Sequence, residues 1–144
     1  MNFLFLIVLI FCMVYFVKWI YEKVFPKIEN LVVKKSGIIG AGRGVFAEKN
    51  YKKGEIIENC PYVHDNINNI NGKLVNYYMD GTSLNKNHVI IPFGLCPIYN
   101  HSNNSNTHYE FGNMESLNVI ADRDIKEGEE LTFDYGEEWW KKRQ

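Results

Sequence analysis

Residues 125–140 read IKEGEELTFDYGEEWW. A charged turn leads into residues 131–135, where leucine, phenylalanine and tyrosine alternate with polar residues. Alternation with a period of two predicts a half-buried β-strand, and it places Leu131, Phe133 and Tyr135 on one face of that strand. Taken alone, a tyrosine next to a phenylalanine on an inward face is more often a core residue than a catalytic one.

The chain from residue 31 onward continues this pattern of short strands and turns. Residues 64–72 are polar and rich in asparagine, which predicts a loop, and residues 73–79 predict one or two helical turns. Apolar or β-branched segments bounded by turns predict strands at residues 31–33, 45–47, 56–57, 88–91 and 117–121. Helix–strand alternation is absent from the sequence, so we expect a mainly β domain with minor helix.

The amino terminus has a different composition. Residues 3–17 form an unbroken apolar run of 15 residues, whereas a membrane-spanning helix needs roughly 20. Lys18 can snorkel, and aromatic residues after it can lie at the membrane interface, which extends the run to a spanning length. We therefore predict a membrane-anchor helix and tether over residues 1–26, ended by Pro26. A signal peptide and a buried or partner-binding helix are the alternatives, although the run lacks a preceding basic residue and a small-residue cleavage site.

Charge predicts the orientation of this anchor. Lysines follow the apolar run and none precedes it, so we expect a single-pass membrane protein whose carboxy-terminal domain faces the cytosol. Without the anchor, which holds Lys18, Lys23 and Glu22, the chain has 14 basic and 16 acidic residues and a net charge near −2. This balance argues against direct nucleic-acid binding, which needs a basic surplus.

The cysteines and histidines show no metal-site spacing. Cys12 lies in the apolar run, while Cys60 and Cys96 stand alone, so neither a structural zinc cluster nor a disulfide framework is indicated. This usage suits a reducing compartment, and a single Cys60–Cys96 pair stays open. His101 and His108 have no cysteine or carboxylate partner at zinc spacing, and we predict no metal site.

Two further segments are candidates for ligand contact. Residues 40–44 (GAGRG) lack the G-x-G-x-x-G spacing of a dinucleotide-binding turn, and a predicted strand follows them instead of a helix. The glycines predict a turn, or a backbone that a ligand can approach closely. Residues 99–106 (YNHSNNSN) are polar yet directly follow the apolar residues 90–98, so this segment emerges from the core.

Together, these segments resemble, in order and spacing, the signature motifs of the SET-domain protein lysine methyltransferases. Residues 42–47 (GRGVFA) resemble the family's first glycine motif. Asn100-His101-Ser102, followed by Asn106, resembles its Asn-His-Ser-Cys-x-Pro-Asn motif, and residues 128–136 (GEELTFDYG) match its last motif almost letter for letter. The resemblance covers residues 31–140 and implies a SET domain, a fold of several small β-sheets with a knot-like carboxy-terminal segment and short helices.

The sequence departs from the family pattern in two ways. Asn103 and Ser105 replace the cysteine and proline of the second motif, a change that affects the packing of the loop more than its chemistry. The cysteine-rich pre-SET and post-SET zinc modules are missing, and the chain instead has Trp139-Trp140 after the last motif. In this it is similar to the compact viral and bacterial SET proteins, in which an aromatic pair replaces the missing wall of the site.

The resemblance implies transfer of methyl groups from S-adenosyl-L-methionine to a lysine side-chain amine. Tyr135 occupies the position of the family's essential tyrosine. Phe133 stands where the family exchanges phenylalanine for tyrosine, and phenylalanine there implies a di- or trimethylating enzyme. The implied cofactor contacts come from Gly42, Arg43, Gly44, Asn100, His101 and Trp140. The implied substrate channel is lined by Tyr77, Tyr99 and Phe133, with Tyr135 and Trp140 as further candidates.

The implied partner is a lysine-containing protein or peptide, such as a histone tail. Acidic residues cluster around the last motif, either as a solvated face or as a surface that attracts a basic peptide. They are Glu127, Glu129, Glu130, Asp134, Glu137 and Glu138. Pairing can complete the site of a compact SET domain, so a homodimer is a further expectation. The alternative function is a catalytically idle SET-like module that binds lysine-rich peptides as a membrane-tethered scaffold.

Overall fold

The computed structural model describes residues 11–17, 19 and 30–141. Within these residues the predicted mainly β architecture is confirmed, with two sheets and only short helical elements. The strands are β1 (Leu31–Lys35), β2 (Arg43–Ala47), β3 (Ile56–Asn66), β4 (Met79–Asp80), β5 (His88–Pro92), β6 (Asn100–His101), β7 (Thr107–Phe111), β8 (Ser116–Ala121) and β9 (Glu130–Phe133). Three 3₁₀ turns (Ile67–Asn69, Gly72–Asn76, Cys96–Ile98), a carboxy-terminal helix (Glu137–Lys141) and the helical residues 11–17 and 19 complete the described elements.

The four-stranded sheet, in the order β1-β2-β9-β6, brings the three sequence motifs side by side. Strand β2 pairs antiparallel with β9, with Val45 opposite Leu131. Strand β6 pairs parallel with β9, with Asn100 opposite Thr132. A parallel pair of such short strands needs a long connection between them, so the second and last motifs meet only through the tertiary fold.

Asn106 holds β9 in this position. Its side chain is 2% exposed; Nδ2 donates to the Glu130 carbonyl at 2.9 Å and Oδ1 accepts from the Thr132 backbone N–H at 2.9 Å. The Thr107 hydroxyl donates to the Thr132 carbonyl at 2.8 Å. Buried backbone groups need such partners, which explains the asparagine that ends the second motif. The knot-like threading of this segment stays a prediction.

The five-stranded sheet, in the order β4-β5-β3-β8-β7, is built around the long strand β3. Its end corrects the loop predicted for residues 64–72, because His64, Asp65 and Asn66 pair in register with β5. Their polar side chains are exposed or half-buried and carry no core signal, so strand pairing sets the structure here. The helical turns predicted for residues 73–79 are a 3₁₀ turn that ends before Tyr77.

One apolar core joins the two sheets. Val45 and Leu131 of the four-stranded sheet and Ile90, Leu117 and Val119 of the five-stranded sheet belong to the same cluster, and each is at most 3% exposed. Burying a side chain of this size stabilises the fold by about 1.5–3 kcal/mol. The core therefore holds the motif-bearing sheet against the sheet that supplies other walls of the site.

Cys60 and Cys96 form a disulfide, with their Cα atoms 6.6 Å apart. This corrects the interpretation of the two residues as isolated cysteines and selects the pair that the sequence left open. They are 36 residues apart in the chain, and they meet because β3 lies beside the 3₁₀ turn that precedes β6. Cysteine spacing alone carries no information about such a contact.

The predicted membrane anchor lies largely outside the described residues. Residues 11–17 and 19 are helical and exposed. Within the described part of the chain, none of the helices is long and apolar enough to cross a membrane.

Candidate active site

A cavity of about 550 Å³ lies beside Tyr135. Residues from both sheets and from the carboxy-terminal helix line it. Its aromatic wall consists of Tyr77, Tyr78, Tyr99, Tyr109, Phe133, Tyr135 and Trp139. Three predicted channel residues, Tyr77, Tyr99 and Phe133, thus line one cavity together with Tyr135.

Stacked aromatic rings form the buried part of this wall. The Phe133 ring is 2% exposed and stacks on Tyr99 at a centroid distance of 4.8 Å. Tyr109 meets Phe133 edge-on at 5.8 Å. Tyr77, in contrast, is 49% exposed, so it lies at the open part of the cavity. The arrangement suits the alkyl chain of a lysine, which an aromatic wall can desolvate.

Tyr135 is held at both ends. Its hydroxyl donates to the Tyr99 backbone carbonyl at 2.5 Å, and its backbone N–H donates to His101 Nδ1 at 3.1 Å. The ring also packs against Trp139 at a centroid distance of 4.7 Å. These contacts fix the hydroxyl in the cavity, as a group that orients a reacting amine requires.

Asn103 fixes the histidine that holds Tyr135. Because His101 Nδ1 accepts from a backbone N–H, the neutral ring carries its proton on Nε2. That nitrogen lies 2.9 Å from Asn103 Oδ1 and donates to it. Asn103 is the residue that replaces the family's cysteine, and sequence reasoning assigned its position to loop packing. The structure instead places it in a hydrogen-bonded chain that ends at Tyr135.

The two terminal tryptophans occupy different places. Trp139 lines the cavity, whereas Trp140, a predicted channel candidate, does not. Trp140 meets the His101 ring edge-on at 5.2 Å and is 45% exposed. The two indoles contact each other at 4.6 Å. On a short helix, successive side chains point about 100° apart, so only one of the pair can face the cavity.

Glu130 links the Asn100 side chain to the glycine-containing segment that precedes β2. Its Oε1 accepts from the Asn100 side-chain amide at 2.8 Å and from the Ser36 hydroxyl at 2.7 Å. Its Oε2 accepts from the Gly37 backbone N–H at 3.0 Å. A Cβ at Gly44 would clash with this same carboxylate, which explains why the strand has glycine there. From the sequence alone we placed Glu130 only in the acidic cluster around the last motif and gave it no role in the cofactor site.

Among the remaining predicted cofactor residues, Gly42 offers a ligand exposed backbone and Asn100 offers its side-chain oxygen. The Asn100 amide nitrogen is used by Glu130 and by the Arg43 carbonyl at 2.9 Å, so the Asn100 carbonyl oxygen is the atom available to accept from a ligand ammonium. Gly42 has φ +76°, and no atom lies within 4 Å of the place that a Cβ would take. An open glycine backbone beside an amide acceptor fits a cofactor that carries an amino-acid group.

Glu58 and Tyr99 form a buried polar pair behind the cavity. Burial raises the pKa of Glu58, and burial together with Glu58 raises the pKa of Tyr99 well above its ordinary value. Burial, with a smaller effect of Asp80, also raises the pKa of Tyr109. The cavity phenols Tyr99 and Tyr109 are therefore neutral at physiological pH.

The charge of the cavity is one-sided. Its lining includes the four carboxylates of Asp80, Asp134, Glu137 and Glu138, and among the described residues that line it there is neither lysine nor arginine. Sequence reasoning found the last three in the acidic cluster but missed Asp80, Tyr78, Tyr109 and Trp139 as lining residues. Periodicity places such residues on strands and turns, but only the register between the sheets brings them to one cavity.

Comparison with known proteins identifies the family. The SET-domain family matches residues 42–136. The chain is 31% identical to N-lysine methyltransferase KMT5A-B of Xenopus laevis and 30% identical to N-lysine methyltransferase KMT5A of Xenopus tropicalis, over 121 residues in each case. Each match covers 73% of this chain and 36% of the relative, so the chain spans about a third of the length of these curated relatives.

Solved structures show the same fold. A candidate histone methyltransferase of Plasmodium falciparum is 34% identical, with a TM-score of 0.62, and the match covers 77% of this chain and 96% of that one. The ctPRC2 structure bound to S-adenosylmethionine also gives a TM-score of 0.62, at 23% identity, over 78% of this chain and 16% of that chain. The second likeness concerns the fold alone. With three motifs on one sheet and a family match over most of the described domain, the chain belongs to the SET-domain family.

Proposed function

We propose that this chain is an S-adenosyl-L-methionine-dependent protein-lysine N-methyltransferase. The observation that carries the proposal is the position of Tyr135, whose hydroxyl is held by the Tyr99 carbonyl in an aromatic cavity. The same residue is tied through His101 to the strand that carries the predicted cofactor contacts. Similarity to two N-lysine methyltransferases supports the assignment.

The cofactor residues are proposed from geometry and family position together. S-Adenosyl-L-methionine, when bound, supplies the methyl group on its sulfonium. Gly42, Arg43 and Gly44 offer backbone to the cofactor, and Asn100 offers its side-chain carbonyl to an ammonium group. The His101 ring contacts both Tyr135 and Trp140, so His101 and Trp140 border the same side of the proposed cofactor site. The Glu130 carboxylate accepts hydrogen bonds from Ser36 and Gly37 on one side and from Asn100 on the other, which holds the segment before β2 close to Asn100.

The channel prepares the lysine amine by desolvation. A free lysine amine has a pKa near 10.4, and an apolar channel lowers that pKa because burial disfavours the ammonium form. Neutral phenols at Tyr99 and Tyr109 keep the aromatic part of the wall uncharged, and the Tyr135 hydroxyl orients the amine. We assign no general base to tyrosine, since a phenol near pKa 10 is poorly matched to proton abstraction at neutral pH.

The product is proposed to be di- or trimethyllysine. Phe133 offers no hydroxyl to hold water beside the amine, so the channel keeps room for a methylated nitrogen. Mass spectrometry of a long reaction tests this directly. Monomethyllysine as the only end product would contradict it.

The substrate is proposed to be a lysine within a basic segment, such as a histone tail. The cavity lining has four carboxylates and, within the part of the chain that the structure describes, no cationic side chain, which favours a cationic peptide. Asp80 and the acids of the carboxy-terminal helix stand on different elements, so they can contact basic residues on both sides of the target lysine.

Transfer of tritiated methyl groups tests the function. Wild type and Tyr135→Phe are compared on histones and on a cell lysate, with peptide binding measured in parallel. Transfer by wild type, with loss of transfer but retained peptide binding in Tyr135→Phe, supports the enzyme. A folded wild type that binds peptide and transfers nothing identifies the idle SET-like module instead.

We further propose that the chain is a single-pass membrane protein whose SET domain faces the cytosol. The apolar run of residues 3–17 and the lysines after it support this placement. Resistance of the full chain to alkaline extraction from membranes, together with protease access to the SET domain in sealed cells only after permeabilisation, is the expected result. Release of the full chain by alkali would contradict the anchor. Pairing of two copies is a separate proposal, and a monomeric mass by light scattering of the active enzyme would contradict it.

A further inference from the structure

Three donor side chains meet next to the cavity, apart from the residues assigned to methyl transfer. Glu58 and Cys60 are two residues apart on β3 and so point to the same side of that strand. Cys96 comes from the 3₁₀ turn that leads to Tyr99. One carboxylate oxygen and the two sulfurs lie within 4.8 Å of one another, and none of the three residues is more than 8% exposed.

The polar atoms of this cluster are not all satisfied. Glu58 Oε1 accepts from the Leu95 backbone N–H at 2.7 Å. Glu58 Oε2 and the neighbouring Tyr99 hydroxyl are buried without a well-formed hydrogen bond in the described part of the chain. The Tyr99 hydroxyl lies close enough to act on Glu58, but without good geometry, and a buried carboxylate is stabilised by a cation or a better-placed donor.

Glycine at position 94 leaves room at the same place. A Cβ on Gly94 would meet the Glu58 carboxylate and would lie 3.6 Å from the Cys60 sulfur. Cys96 also lines the cavity, which gives solutes a path to the cluster.

We propose that the dithiol form of this cluster binds one zinc ion through the Cys60 and Cys96 thiolates and the Glu58 carboxylate. Zinc takes thiolate and carboxylate ligands in tetrahedral sites, with bonds of about 2.3 Å to sulfur and about 2.1 Å to oxygen, so its ligand atoms stand about 3.5–3.8 Å apart. The two sulfurs are bonded to each other in the structure, so reduction must first let them separate to that spacing, whereas the carboxylate oxygen already lies within 4.8 Å of both. Calcium and magnesium prefer oxygen alone. A water is the fourth ligand.

The disulfide in the structure is the oxidised counterpart of this site. A thiolate of a small dithiol attacks one sulfur of the Cys60–Cys96 bond, and its second thiolate completes the exchange. The dithiol is oxidised to a disulfide, and the two cysteines gain two electrons and two protons. Zinc binding then displaces those two protons, since the metal ligands are thiolates. Zinc and the disulfide therefore cannot be present at the same time, although each links β3 to the 3₁₀ turn Cys96–Ile98.

Cobalt(II) as a spectroscopic substitute tests the site in the full chain, purified in detergent with and without a dithiol reductant. The reduced protein is expected to take up one equivalent, with a thiolate-to-cobalt charge-transfer band that zinc abolishes, and the oxidised protein none. Cys60→Ser and Cys96→Ser should lose the band, and Glu58→Gln should weaken binding by about tenfold or more. Cys12→Ser should bind as wild type. His64→Gln should do the same, although His64 and His88 form an exposed nitrogen pair at 3.1 Å.

Zinc-edge X-ray absorption of reduced wild type gives a second test that needs no variant. Two sulfur and two oxygen or nitrogen neighbours are expected. The proposal is overturned if the reduced chain shows three free thiols and no charge-transfer band, if the band survives in Cys96→Ser, or if Glu58→Gln binds cobalt as wild type does. A zinc shell with four sulfurs or with none would overturn it as well. Methyl transfer enters none of these readouts, so the outcome is independent of the proposed function.

Discussion

The cavity beside Tyr135 and the proposed cofactor cleft, to which we assign Gly42–Gly44 and Asn100, share one domain but differ in construction. The cavity takes its walls from both sheets and the carboxy-terminal helix, and none of the cleft residues lines it. The cleft is made within the four-stranded sheet, where neighbouring strands carry the motifs. Aromatic packing shapes the cavity, whereas one carboxylate, Glu130, organises the cleft through hydrogen bonds.

We therefore expect the two regions to respond differently to substitution of their residues. In the cleft, hydrogen-bond partners are few and a single loss affects the whole arrangement. In the cavity, many rings share the contact area, so loss of one peripheral hydroxyl leaves the shape in place. Tyr135 is the exception, because its hydroxyl lies in the cavity while its backbone is bonded to the second motif.

Tyr135→Phe is expected to have the largest effect. The ring keeps its contacts with Trp139, but the hydroxyl that orients the amine is lost, and misplacement of a reacting group costs about 100-fold in rate. We expect kcat/KM for methyl transfer to fall by about that factor while thermal unfolding changes little. Tyr77→Phe, at the open part of the same cavity, should stay near wild type. Equal losses in the two variants would break the distinction between Tyr135 and the other cavity residues.

Glu130→Gln probes the cleft without touching the cavity wall. Three donors converge on the Glu130 carboxylate, and an amide offers only one acceptor oxygen and adds a competing donor. Loss of a charged hydrogen bond is worth about 1.5–3 kcal/mol, so we expect S-adenosylhomocysteine binding to weaken by about tenfold or more in calorimetry. Affinity for a lysine-rich peptide should be unchanged. A peptide affinity that falls in parallel would show that the two regions are coupled.

Phe133→Tyr tests how closely the cavity fits its product. The added hydroxyl enters a ring stack that is 2% exposed, where it takes up space or holds a water near the amine. We expect monomethyllysine to accumulate in mass spectra, with the rate of the first transfer changed only a few-fold. Unchanged di- or trimethylation would remove Phe133 as the determinant of product state.

Asp80→Asn should have a smaller effect that depends on salt. Asp80 lines the cavity and faces solvent, so its charge acts on a basic peptide over a screened distance. We expect KM to rise about threefold at low ionic strength and the difference to vanish at high salt. Glu48→Gln, an exposed acid outside the cavity, serves as the matched control. If Glu48→Gln raises KM as much as Asp80→Asn does, the attraction comes from net charge and not from the cavity.

Tyr51 lies outside both regions and gives the smallest expected change. Burial, with nearby Glu55 and Glu58, raises the pKa of Tyr51 to about 12. The unfolded phenol ionises near pH 10, so the stabilising contribution is complete below pH 10 and is lost as the pH rises towards 12. Urea unfolding at pH 9 and pH 11 should show a smaller loss of stability in Tyr51→Phe than in wild type. An identical alkaline loss in both proteins would rule out Tyr51 as its source.

The motif residues were easier to predict from the sequence than the rest of the cavity lining. Gly42–Gly44, Asn100 and Tyr135 lie in contiguous motifs that local sequence identifies, although the strands that carry these motifs become neighbours only in the folded domain. Tyr99 and Phe133 were also predictable, since they flank or belong to those motifs. Their assigned roles stay predictions.

Other parts of the site depend on contacts between distant segments. Asp80 and Tyr109 belong to strands of the five-stranded sheet without a recognisable motif, and pairing registers bring them to the cavity. The Cys60–Cys96 bond and the Asn103–His101 contact likewise arise from folding. Trp140 was predicted as a channel candidate from the family resemblance, but Trp139 lines the cavity and Trp140 does not. The alternation of polar and apolar residues along a strand does not indicate which distant segments will contact each other.

Mass spectrometry of a lysine-rich peptide after incubation with the full chain and S-adenosyl-L-methionine tests the central claim most directly. We expect methyl groups on lysine, up to two or three on one amine, and none on a matched peptide with arginine in place of lysine. The reaction should disappear with Tyr135→Phe. A folded wild type that binds both cofactor and peptide yet leaves every lysine unmodified would contradict the account.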